Sequence, residues 1–238
     1  MAIKATLQAG DMSDKELIER VAQAGALSEP NVHLTRADWL EAAIRLFMQE
    51  GVEAVRITRL AQVMAVTRGS FYWHFKDRDD LLDGLVGFWE QKNMRSTMLA
   101  LENVDNLQDG MLSLFSTWLD VSRFEPGLDM AMRDWARRSE RVRQAVARAD
   151  KACMNALANF FQRMGLEQIE AQTRARTTYF CQIGYYLIGL QENLEDRMVY
   201  LNDTMKILGG QPLDPAKAKA FAERMYSVQK DNAKKVVG

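Results

Sequence analysis

Histidine and cysteine are almost missing from this chain, with two of each in 238 residues. His33 and His74 stand far apart, and Cys153 and Cys181 lack metal-ligand spacing, so a zinc or iron centre would be short of donors. The same scarcity speaks against catalysis by His or Cys, and no glycine-rich phosphate loop occurs. A protein that is not an enzyme, with no cofactor and no metal, is therefore expected. The two thiols read as small core or surface residues in a reducing compartment. Only four prolines interrupt the chain, which favours long helices. No apolar run approaches the ~20 residues that span a bilayer. The first residues also lack an apolar signal core, so a cytoplasmic protein without a membrane partner is expected. Strand alternation, internal repeats and low-complexity runs are absent.

What is present suits a globular chain of one or two domains, with 47% hydrophobic and 26% charged residues. A net charge of −1 gives no general reason for nucleic-acid affinity. Its distribution does. Between Arg56 and Arg78 the cations are Arg56, Arg59, Arg68, Lys76 and Arg78 against the single acid Asp77, a local excess of +4. Phosphate contact depends on such local excess.

The same stretch reads as two short helices joined by a tight turn. Leu60, Ala61 and Met64 fall on one face of the first. Thr67 can cap the second, whose first turn leaves backbone N–H groups unpaired. Phe71 and Phe75, one helical turn apart, share its buried side. Arg68, Ser70, Tyr72 and Trp73 occupy the other side. A short helix that buries two Phe and shows cations, hydroxyls and aromatics outward suits a major groove. A cation at a helix N-terminus opposes the dipole, so Arg68 needs another reason, and a guanidinium fork to guanine or phosphate supplies it. Gly69 costs about 1 kcal/mol relative to Ala; close approach to DNA explains it, and so does tolerance in a first turn. Tyr72 is read as a phosphate contact and Trp73 as packing on sugar or a thymine methyl. His74 is either phosphate-facing or a positioned core residue. Lys76 and Arg78 read as phosphate clamps, and Thr58 and Thr67 as added hydroxyl contacts.

Val66-Thr67-Arg68-Gly69-Ser70-Phe71-Tyr72-Trp73-His74-Phe75-Lys76-Asp77-Arg78 resembles the recognition-helix signature of the TetR-like (tetracycline-repressor) family of bacterial regulators. Ala42-Ala43-Ile44-Arg45-Leu46-Phe47-Met48-Gln49-Glu50-Gly51-Val52 resembles that family's first helix and closing glycine. The likeness covers roughly residues 36 to 90. The family often has Thr or Ser where this chain has Arg56, so the cap of the second helix is expected to be missing or moved to Thr58. The resemblance implies an all-α protein in which an N-terminal helix-turn-helix binds a palindromic double-stranded operator. It also implies a C-terminal antiparallel bundle that binds a small-molecule effector and forms a homodimer through its last long helices, matched here by 167–193 and 195–208. Effector binding would then release DNA, with repression as the default.

The expected division is an extension over 1–33 with one helix near 13 to 25, a helix-turn-helix domain over 34–80, and an effector and dimerisation domain over 81–238. Thr35 should start helix one, and Trp39, Leu40, Ala43, Ile44 and Phe47 form its buried stripe. Asp77 should cap a helix running toward residue 101, with Asp79 and Asp80 in its first turn. Asn106, Ser139 and Asp214-Pro215 read as further starts, Gly165 and Gly209-Gly210 as stops, and the tail after Lys230 as frayed. Trp118, Met132, Trp135, Phe161, Tyr179 and Tyr186 are the candidates to line an effector cavity, because buried Tyr and Trp want hydrogen-bond partners. Arg133 to Lys151 holds seven cations and three acids and reads as a solvated face. The competing reading is a helical small-molecule-binding or dimerisation protein without sequence-specific DNA binding.

Overall fold

The computed structural model describes residues 34–190 and 192–237; the helix expected near 13 to 25 lies outside them. Every long element described is helical, as the all-α reading requires. Helix α1 (Arg36–Glu50) opens on a capping box, in which the Thr35 hydroxyl accepts from the Asp38 N–H and the Asp38 carboxylate accepts from the Thr35 N–H. A single 3-10 turn (Val52–Ala54) leads to α2 (Ile57–Val63), whose N-cap position is Arg56. No side chain caps α2, so the cap is absent rather than moved to Thr58.

The turn after α2 is a Schellman motif. Ala65 N–H donates to the Gln62 carbonyl at 3.1 Å and Val66 N–H to the Ala61 carbonyl at 2.9 Å. The left-handed position that closes such a motif is usually Gly, as at Gly165 after the eighth helix (φ 92°), yet here it is Ala65 at φ 53°. Helix α3 is regular only over Arg68–Phe71 and continues as turns, with His74 and Phe75 N–H both donating to the Phe71 carbonyl. Thr67 holds the N-cap position but makes no side-chain cap, against expectation. The Ser70 N–H that it would serve already donates to the Thr67 carbonyl at 3.1 Å.

Helix α4 (Arg78–Trp89) is capped as expected, with the Asp77 carboxylate accepting from Asp80 N–H at 2.9 Å. Instead of running on as one helix it passes through a π turn (Glu90–Arg95) into α5 (Ser96–Leu99). The wide turn holds the wholly buried Asn93, whose amide exchanges two hydrogen bonds with the backbone of Glu125. Next come α6 (Leu107–Leu119), α7 (Pro126–Ala136), α8 (Glu140–Arg163) and α9 (Gln168–Ile188). The last of these stops short of 193 because Gly189 takes a left-handed conformation. The helix expected over 195–208 is two, α10 (Leu194–Val199) and α11 (Leu201–Gly209), divided at Tyr200. Helix α12 (Pro215–Val237) starts at the Asp214 cap and is helical beyond Lys230.

These elements form two compact units. One takes in the described residues up to Trp89 together with Gly127–Arg143, and the other Glu90–Pro126 and the described residues from Gln144 onward. The first therefore extends past residue 80 and recruits α7. Its core holds Trp39, Phe47, Leu60, Phe71, Phe75, Leu81 and Trp89. Helix α7 is keyed in by Asp129, a wholly buried carboxylate that accepts from Trp89 Nε1 and Arg133 Nε, each at 2.8 Å. The second unit is built on Met111, Leu114, Cys153, Leu157, Phe160 and Phe161. Gly110 lets α6 lie against Phe160; a Cβ there would stand 2.3 Å from two ring atoms.

Two substitutions test these packings in urea unfolding. Ala65→Gly should stabilise by about 0.5–1 kcal/mol, since relief of about 1–2 kcal/mol of left-handed strain outweighs glycine's entropy cost of roughly 0.5–1 kcal/mol, and Ala65→Val should destabilise. Gly110→Ala should cost about 1–3 kcal/mol through overpacking.

Candidate nucleic-acid interface

The turn before α3 aims its four regular residues and the following turn outward from the core of the first unit. Phe71 and Phe75 are buried and stacked at 5.4 Å between centroids, and Trp39 meets Phe71 edge-on at 5.3 Å. The opposite side is the unusual one. Trp73 is 87% exposed and Tyr72 60% exposed. Thr58, Thr67, Arg68, Gly69 and Lys76 are also exposed, while Ser70 and His74 are half-buried. Thr67, Arg68, Gly69, Ser70, Tyr72, Trp73 and Lys76 thus come together on or beside α3.

A residue that sequence reasoning passed over holds this surface in place. Arg36, at the start of α1, donates through Nη1 to the His74 carbonyl at 2.6 Å and through Nη2 to Asp80 Oδ1 at 3.0 Å. Its guanidinium carbon sits 3.9 Å over the Phe75 ring. Asp80 Oδ2 accepts from Lys76 N–H at 2.9 Å. Both ends of the turn between α3 and α4 are therefore tied to α1. Hydrogen bonding from Arg36, then from the Lys76 backbone, holds the Asp80 carboxyl below its ordinary value. Arg36 and Asp80 lie 44 positions apart, and no local pattern announces such a pair.

The five cations of the segment do not act alike. Arg78 reads from its position as a phosphate clamp, but its Nε donates to the Val55 carbonyl at 2.6 Å and its Nη2 to the Val52 carbonyl at 2.7 Å. It braces the 3-10 turn, whose carbonyls need donors. Arg59 pairs with Glu50, and Arg56 Nε donates to the Glu53 carbonyl. Arg68 and Lys76 make no salt bridge among the described residues and keep their charge toward solvent.

The six residues expected to line an effector cavity are not brought together. Met132 and Trp135 belong to the first unit, where Met132 is core and Trp135 meets Phe47 edge-on at 5.7 Å. In the second unit Phe161 is core, Tyr179 Oη donates to Asp150, and Tyr186 Oη donates to the Trp118 carbonyl. Trp118 alone of the six lines the cavity framed by α6, α9, α10 and α11. Spacing identifies buried aromatics here; it cannot say which of them have already found partners.

Residues 40–85 match the family model described as bacterial regulatory proteins, tetR family. The chain is similar to the HTH-type transcriptional regulator AcrR of Shigella flexneri, at 41% identity over 68 residues, 29% of this chain and 30% of that protein. Residues 40–85 thus carry a likeness to the TetR-like regulators. The chain spans less than a third of the curated relatives it matches at this end. BepR of Brucella suis, an HTH-type transcriptional repressor, matches at 38% over 53 residues, 22% of this chain and 25% of that protein. A longer likeness is to the HTH-type transcriptional repressor Rv1474c of Mycobacterium tuberculosis, at 26% identity over 56% of this chain and 72% of that protein. In fold, the chain is similar to a transcriptional regulator from Rhodococcus sp. Rha1, with a TM-score of 0.55 at 18% identity, over 74% of this chain and 95% of that one. Salmonella enterica GusR gives 0.53 at 13% identity, over 86% and 98%. Among the described residues no helix is long and apolar enough to cross a membrane.

The bracing roles have measurable consequences. Arg78→Ala should cost about 2 kcal/mol in urea unfolding, because two backbone carbonyls lose a charged donor. Asp80 stabilises the fold where it is ionised in both states, above its unfolded value near 4. That contribution is lost as the pH falls through the lowered folded value. The stability gap between the parent protein and Asp80→Asn should be full at neutral pH, shrink below about pH 4 and close in stronger acid. A gap that stays constant down to strong acid would show that the Arg36 contact contributes nothing.

Proposed function

We propose that this TetR-like protein is a homodimeric, ligand-responsive transcriptional repressor that binds a palindromic double-stranded operator through the segment around α3. The observation that carries the reading is the exposure of Trp73 and Tyr72 directly outside the buried Phe71–Phe75 pair. Tyr72 packs edge-on against Phe71 at 5.4 Å and still shows most of its surface to water, as Trp73 does, and a groove would bury both. Arg68 supplies a fork for guanine or phosphate, Lys76 a phosphate contact, and Thr58, Thr67, Gly69, Ser70 and His74 stand where further backbone or hydroxyl contacts would form. Arg78 acts indirectly, by fixing the turn. The curated relatives bear regulator and repressor names, which supports repression. Acting on operator DNA places the protein in the cytoplasm and asks no catalysis of it.

Dimerisation is supported by an apolar stripe in the second unit. Ile169, Phe180 and Leu187 lie along one side of α9, with the small residues Thr173 and Gly184 between them, and all three are exposed. Ile207 of α11 is exposed as well. Spacings of three and four along α9 form the seam that a second copy's helices pack into. A dimer would present two α3 segments to half-sites about 34–36 Å apart, or a multiple.

Gel shifts with the gene's own upstream duplex test the reading. Arg68→Ala and Trp73→Ala should each abolish the specific shift while leaving the urea midpoint unchanged, and an unaltered shift would refute the contact assignment. Lys76→Ala removes one cation from the phosphates and should lower the log–log salt slope by about 0.9. Phe180→Arg with Leu187→Arg should give monomers in sedimentation and lose operator affinity; a double variant that remains dimeric would place the interface elsewhere.

A further inference from the structure

Buried polar groups in this protein generally have partners. Asn93, Trp118 Nε1 and Asp129 are all hydrogen-bonded inside the core. Two groups in the second unit break that pattern. Thr178 Oγ1 and Gln182 Nε2 are buried with no hydrogen-bond partner among the described residues, on residues only 1% and 7% exposed. Thr178 and Gln182 are one turn apart on α9, and both residues line the cavity of about 300 Å³ framed by α6, α9, α10 and α11. An orphaned buried donor costs about 1–3 kcal/mol. Two of them in one wall mark a site whose partner is supplied from outside.

The rest of the wall fixes the chemistry of that partner. Phe115, Trp118 and Tyr185 line the cavity, with Phe115 and Trp118 edge-to-face at 5.8 Å. These rings select a flat apolar body. The two charged residues in the lining are opposite in sign and already engaged around Tyr185. Glu192 accepts from Tyr185 Oη at 2.8 Å, and the Arg197 guanidinium sits 4.6 Å over the Tyr185 ring. Burial, then the bond to Glu192, raises the Tyr185 phenol to about 12, so it stays neutral. Among the described residues of the lining no uncompensated charge awaits an ion, and Gln182 Nε2 can only donate.

We infer that this cavity binds an uncharged aromatic molecule bearing a carbonyl oxygen, which accepts from Gln182 Nε2 while Thr178 Oγ1 engages the same polar edge. Its role as the effector site rests on the regulator reading above; its ligand class does not. The volume lies at the small end of small-molecule sites, about 300–1,000 Å³.

Cys181 offers a reporter. It lies in the same lining and is exposed, whereas Cys153, the other cysteine of the chain, is wholly buried. Iodoacetamide alkylation of Cys181 is followed in the full chain with tetralone, with tetralin (the same skeleton without the oxygen) and with naphthoate, which is anionic. Saturating tetralone should slow alkylation about tenfold and raise the thermal midpoint. Tetralin should bind about fivefold more weakly, as expected for one missing hydrogen bond, and naphthoate should not protect. Gln182→Leu should bring tetralone down to the tetralin level. Thr178→Val and Gln182→Leu should keep or raise the ligand-free midpoint, because each removes an orphaned polar atom. Equal binding of tetralone and tetralin in the parent, preference for naphthoate, or no protection by any of the three would overturn the assignment. Operator binding is scored on the same preparation. A protein that shifts its duplex yet ignores tetralone loses this site and keeps the regulator reading. One that discriminates tetralone from tetralin but binds no duplex keeps the site and loses that reading.

Discussion

A helix with four regular residues cannot hold itself together in water, because nucleating a turn fixes many dihedrals for few hydrogen bonds. Helix α3 exists because Phe71 is buried against Trp39 with Phe75 stacked on it, and because Arg36 clasps the His74 carbonyl just beyond it. Burying each Phe contributes about 1.5–3 kcal/mol, more than the segment's own helix propensity can offer. Everything on the wet side depends on that anchorage. Trp73, Tyr72 and Arg68 can project outward at fixed spacing only because the other side of the turn is immobilised.

The anchorage also explains how the cations divide. A count of charge from Arg56 to Arg78 treats five side chains as equal. The fold assigns three of them to its own needs: Arg78 to the carbonyls of Val52 and Val55, Arg56 to that of Glu53, and Arg59 to Glu50. Arg68 and Lys76 are left to present charge. Their positions on the exposed side, beside two aromatics, matter more than the local sum.

The second unit is organised differently. Its polar core is closed almost everywhere, as in the reciprocal bonds of Asn93 with Glu125 across the π turn. The exceptions, Thr178 and Gln182, are residues in the wall of a cavity that Phe115, Trp118 and Tyr185 also line. Elsewhere α9 carries the exposed row of Ile169, Phe180 and Leu187. One helix thus bears both the orphaned polar pair and an exposed apolar row, the two features on which the proposed effector site and the proposed dimer rest.

Local chemistry was enough to start several of the helices, in both units. Thr35 with Asp38, Asn106 with Asp109 and Asp214 before Pro215 act within a few residues, so their caps can be read from the chain alone. The periodic burial of Trp39, Ile44 and Phe47, the pairing of Phe71 with Phe75, and the outward set Arg68, Tyr72 and Trp73 arise from helical spacing in the same way. Tertiary structure decided what spacing cannot reach. It turned Arg78 inward, joined Arg36 to Asp80, added α7 to the first unit and separated Met132 and Trp135 from the other cavity candidates. The reason is that a hydrogen bond between residues dozens of positions apart leaves no periodic trace. Whether a buried tyrosine or glutamine is satisfied depends on which neighbours the fold delivers, and that is settled only when the helices pack.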